Sequence, residues 1–64
     1  MYLSSEQLLS LRRLKGEMNI NTKELSTLIG IHRHTATKAL TGHSLKPQTV
    51  NKINNWLLKQ YLKN

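Results

Sequence analysis

The sequence predicts an all-α domain of four compactly packed helices, and three observations carry that prediction. Apolar residues recur at spacings of three and four, which is the spacing of a helix face and not of a strand. Polar capping residues stand ahead of the apolar stretches, and turn-forming residues interrupt them at only three places, Asn19 to Asn21, Gly30, and Gly42 to Pro47. The chain has 64 residues, against the usual ~100 to 200 per domain, so residues 1–64 are expected to form one unit.

The first helix is predicted from about Ser5 to Met18. Ser4 followed three residues later by Gln7 is a capping-box pattern, and Leu8, Leu11, Leu14 and Met18 then mark one face. Gly16 weakens the last turn by up to ~1 kcal/mol relative to Ala, and Asn19 can take the left-handed stop that usually calls for glycine. The second helix, about Thr22 to Ile29, is capped by Asn21 with Glu24 completing the acceptor pattern, carries Leu25 and Ile29 one turn apart, and ends at Gly30. The third, about Arg33 to Thr41, has only the narrow stripe of Ala36, Ala39 and Leu40 to bury, and Gly42 stops it. Its polar side needs a partner or water. The fourth begins at Pro47, whose missing N–H suits a first helical position, and runs to about Leu62. Val50, Ile53, Leu57 and Tyr61 form its expected core face, opposite Lys52, Lys59 and Lys63, with Trp56 on one flank and Leu58 and Leu62 on the other. Together these apolar residues cover an arc of roughly 240°, more than one small core is expected to bury.

Ten Lys and Arg against three acids, Glu6, Glu17 and Glu24, give a net charge of +7 and a pI near 10.3. Such an imbalance favours a polyanionic partner. With no cysteine there are no disulfides, no thiol chemistry and no Cys-based zinc site, and the expected compartment is the cytoplasm. No apolar run approaches the ~20 residues of a membrane span, and the basic pair Arg12 and Arg13 follows the leucines instead of preceding them, unlike a signal peptide. His32, His34 and His43 do not suggest a metal site. The first two, two positions apart, are expected on different helix faces, and no Cys or acid stands near. No acid, base and orienting group can be assembled, so neither an enzyme nor a cofactor is expected.

Two short helices joined by a tight glycine turn, the second exposing hydrogen-bonding side chains, form the helix-turn-helix arrangement, here residues 21–42. Ser26 is small where two helices approach, Gly30 supplies the freedom of the turn, and Ile31 fills the angle between the helices. The string INTKELSTLIGIHRHTATKALTG, from Ile20 to Gly42, resembles the helix-turn-helix of the lambda-repressor and Cro-like family. The match lies in Ile20, Asn21, Leu25, Ser26, Ile29, Gly30, Ile31, Arg33, Thr35, Ala36 and Gly42, with no gap. LRRLKGEMNI upstream and the helix after Pro47 downstream extend it to about nine tenths of the chain. Thr22 stands where the family often has Gln, and His32 where its third helix is commonly capped by Ser.

The resemblance implies a small transcriptional regulator, a phage or mobile-element repressor that acts by occupying a double-stranded DNA operator and needs no small-molecule effector. The positions matching the family's base readers are Arg33, His34, Thr37 and Lys38, where Arg or Lys can bond guanine bidentately and the Thr37 methyl or hydroxyl can meet thymine or an acceptor. Thr22, Lys23, Thr35, His43, Ser44 and Lys46 are expected at phosphates, where they position the domain without specifying sequence. One module covers a half-site of about four to five base pairs, so a weak homodimer is expected on DNA, with Leu58 and Leu62 as its contact. The competing function is a protein-binding adaptor, antirepressor or antitoxin-like, on the same scaffold; a membrane-bound amphipathic peptide is disfavoured because the other helices need the apolar face of the fourth.

Overall fold

The computed structural model describes residues 1–62, so Lys63 lies outside the described residues. The four helices are α1 (Ser5–Glu17), α2 (Thr22–Ile29), α3 (Arg33–Leu40) and α4 (Pro47–Leu62). Local chemistry sets each boundary. The Ser4 hydroxyl accepts the Gln7 N–H while the Gln7 side chain accepts the Ser4 N–H, and Asn21 and Glu24 exchange the same pair of bonds at the start of α2. Glycine ends α2: Gly30 sits at φ 87°, where a Cβ would be strained. Asn19 at φ 54° turns the chain between α1 and α2, as its short polar side chain permits. α1 and α3 each stop one residue before the expected end, because Met18 and Thr41 serve as their C-caps.

The core contains Leu11, Leu25, Ala39, Val50, Ile53, Trp56 and Leu57, with Leu3, Leu14, Ile20, Ile29, Ile31 and Leu40 packed around it. Leu11, Leu25 and Ile53 have no exposed surface. Ser26 is buried beside them, its hydroxyl donating to the Lys23 carbonyl at 2.6 Å. Every buried side-chain polar atom among the described residues has a partner, as close packing of a small domain requires.

Two of the expected core positions are corrected. Tyr61 is 59% exposed and Met18 40% exposed. The last turn of α4 lies outside the core, with Leu58, Tyr61 and Leu62 all exposed. Tyr61 lies along α1 instead, its hydroxyl 2.8 Å from that of Ser10. Met18 leaves the apolar face because the helix has already ended. Leu45 is a core residue that the sequence pattern did not mark. It is buried in the loop before α4, where its N–H donates to the carbonyl of Met1.

Candidate nucleic-acid interface

α3 displays one polar side and buries the other. At 100° per residue, Arg33, Thr37, His34 and Lys38 span an arc of roughly 140°, and all four are exposed. Ala36 and Ala39, each 1% exposed, lie opposite. Alanine at these two positions lets α3 settle close on α2 and α1 while its polar residues stay in solvent. The four expected base readers are thus together on one open face.

Within that face several groups are already committed. The Thr37 hydroxyl donates to the Arg33 carbonyl at 3.1 Å, a back-bond within the helix, so its hydrogen is committed and its oxygen is left as an acceptor. His32 caps α3, its Nδ1 accepting the His34 N–H at 3.2 Å. The His32 and His34 rings stack with centroids 5.1 Å apart, contrary to the expectation that they diverge. Helical spacing does not apply to His32, which precedes the helix in extended backbone. Among the described residues no group of three or more His, Cys, Asp or Glu is placed to hold a metal ion.

The expected phosphate contacts fall at three places. Thr35, Ser44 and Lys46 line one hollow of about 230 Å³ between α3 and the start of α4, together with Lys38, Thr49 and buried Leu45. Thr35 is half-buried there, and the Ser44 hydroxyl accepts from the amino group of Met1 at 3.0 Å. His43 stands beside the end of α3, its Nδ1 2.7 Å from the Thr41 hydroxyl, and its N–H donates to the Lys38 carbonyl. Thr22 and Lys23 are on the first turn of α2, Thr22 half-buried and Lys23 exposed.

Two cations that the sequence pattern left unassigned hold this pair of helices by their carbonyl ends. The Arg12 guanidinium, from α1, donates through Nε and Nη2 to the Leu40 carbonyl at 2.9 and 2.7 Å. The Lys52 ammonium, from α4, reaches the Gly30 carbonyl at 3.4 Å. A positive group at a helix C-terminus meets unpaired carbonyls and the negative end of the helix dipole. Only the fold reveals these roles, because each joins helices far apart in the chain. Arg12→Ala is expected to cost about 1 kcal/mol, lowering the thermal midpoint by roughly 4 to 8 °C. An unchanged melting curve would show that the guanidinium does not brace α3.

Among the described residues, no helix is long and apolar enough to cross a membrane. No family model, no curated protein and no solved structure matches the chain.

Proposed function

We propose that residues 21–42 form a helix-turn-helix that binds double-stranded DNA in a sequence-specific way, and that the chain is a small cytoplasmic transcriptional regulator, a Cro-like repressor. One observation carries this reading. The exposed arc of Arg33, Thr37, His34 and Lys38 lies on a short helix whose opposite side is buried alanine, in a chain with a net charge of +7. A helix with small buried residues on one side and cations and short hydrogen-bonding groups on the other has the size and chemistry to enter a major groove.

In that reading Arg33 and Lys38 donate to guanine O6 and N7, His34 bonds a base edge, and Thr37 offers its methyl to thymine because its hydroxyl is held within the helix. Thr22, Lys23, Thr35, His43, Ser44 and Lys46 meet phosphates and fix the register. Repression then needs no chemistry, cofactor or effector, since the bound domain denies the operator to other proteins and its own concentration sets occupancy.

The test is selection of duplexes from a random DNA pool, followed by alanine substitution. Recovery of a common motif is expected. Arg33→Ala and Lys38→Ala should each weaken binding to it by ~1 to 3 kcal/mol and relax preference at identifiable bases, whereas Lys46→Ala should weaken all sequences nearly alike. Equal loss on selected and random DNA for Arg33→Ala would take α3 out of the groove. Recovery of no motif would favour the protein-binding adaptor.

A further inference from the structure

We infer that His32 is a positioning residue for base recognition: its ring, stacked on that of His34, holds the His34 imidazole in the one orientation from which it reads a base edge. That role rests on the DNA-binding reading, and it says what sets the selectivity of one of the proposed base readers.

The other helices show what a cap alone requires. α1 and α2 begin after Ser4 and Asn21, short side chains whose oxygens accept an N–H of the first turn and which belong to the residue types best suited to that task. α3 begins after His32, a bulkier group that accepts the His34 N–H through Nδ1 at 3.2 Å, the long end of the hydrogen-bond range. Capping does not account for an imidazole here. What the ring adds is its face, which lies over the His34 ring with centroids 5.1 Å apart and planes inclined by 21°, as in an offset aromatic stack.

Both contacts end on one residue. The extended backbone of His32, at φ −70° and ψ 148°, sets its side chain beside the first turn of α3, and helical side chains lean toward the N-terminus of their helix. The His34 ring therefore leans back onto its own cap. Because His32 is bonded to the backbone of His34 and stacked on its side chain, the direction of the His34 ring is tied to the axis of α3. The bond uses the His34 N–H and leaves the ring nitrogens of that exposed residue to a partner.

A fixed direction becomes selectivity at a base edge. A neutral imidazole carries one donor and one acceptor nitrogen, and both turn with the ring. A ring that rotates freely meets guanine O6, guanine N7 or adenine N7 as each base pair offers them. One held by a stack meets only the edge that lies along its own direction. His34 is the second residue of α3, at the end of a recognition helix that reaches base edges in this docking geometry. A stacked aromatic pair favours its own arrangement by about two- to tenfold, and discrimination at the base pair read by His34 is expected to depend on the stack to the same extent.

Two substitutions separate capping from stacking. His32→Ser keeps a cap and removes the stack, whereas His32→Phe keeps an aromatic face and removes the cap. Both are compared with the parent and with His34→Ala for thermal midpoint and for binding to the duplex recovered by selection and to its single-base-pair variants. His34→Ala should abolish preference at one base pair. His32→Ser should lower preference at that same base pair by about two- to tenfold while melting at or above the parent's midpoint, and His32→Phe should keep the preference while melting lower. A cap without a positioning role gives the opposite order, and ratios between duplexes cancel any general change in affinity. Without DNA, scalar couplings should show one His34 side-chain rotamer in the parent and an average of several in His32→Ser. Preference intact in His32→Ser overturns the inference, as does preference lost in His32→Phe, or an averaged His34 rotamer in the parent. So does His34→Ala with every preference retained, although a recovered motif would still support DNA binding. Recovery of no motif overturns the DNA-binding reading, and this role for His32 falls with it.

Discussion

Replacing Trp56 with alanine is expected to unfold the domain in ordinary buffer. The indole is 7% exposed and sits in the core with Ile53 and Leu57 of its own helix and Leu25 of α2. Truncating a buried aromatic of this size costs ~3 to 5 kcal/mol, because contacts and burial are lost and the cavity does not fully collapse. A domain of this length has few kcal/mol to lose, with no disulfide to constrain its unfolded state. Far-ultraviolet circular dichroism should show lost helix, and Trp56→Phe should recover part of it. A cooperative melt near the parent's midpoint would place Trp56 outside the packing that holds α2 to α4.

The second large effect expected is on DNA affinity as salt rises. If one domain neutralises about five phosphates, the logarithm of the binding constant falls with that of salt concentration at a slope of −4 to −5, roughly a 250- to 1,000-fold loss between 50 and 200 mM. Titrations at several salt concentrations measure it directly. A slope flatter than about −2 would mean that the cations around α3 meet few phosphates, and would favour the adaptor. Arg12 and Lys52 already donate to backbone carbonyls, which is one reason to expect fewer phosphate contacts than the ten cations of the chain.

What was legible in the sequence is what depends on near neighbours. Ser4 with Gln7 and Asn21 with Glu24 bond within one turn, and Gly30 answers to its own backbone angles, so the helix limits could be read to within a residue. The exposed side of α3 was legible for the same reason: Ala36 and Ala39 leave the adjacent polar positions no choice but solvent. Tyr61 was misplaced because periodicity reports which side of a helix is apolar and not where the neighbouring helices stop. Leu45 was missed because an isolated apolar residue in a loop has no period. Helical spacing does not foretell the stacking of the His32 and His34 rings, because His32 lies outside the helix.

The grip of Arg12 and Lys52 on the carbonyl ends of α3 and α2 bears on the entropy of recognition. A basic segment that orders itself on its partner gives up conformational freedom at that moment, and part of its gross attraction goes to that ordering. Here the freedom of α2 and α3 has been surrendered during folding, held by α1 at one helix end and by α4 at the other. In the DNA-binding reading proposed above, the polar side of α3 would reach the duplex already ordered. Affinity can therefore be altered by residues that touch no partner at all, since loosening either clamp returns to the binding step a disorder that folding had removed.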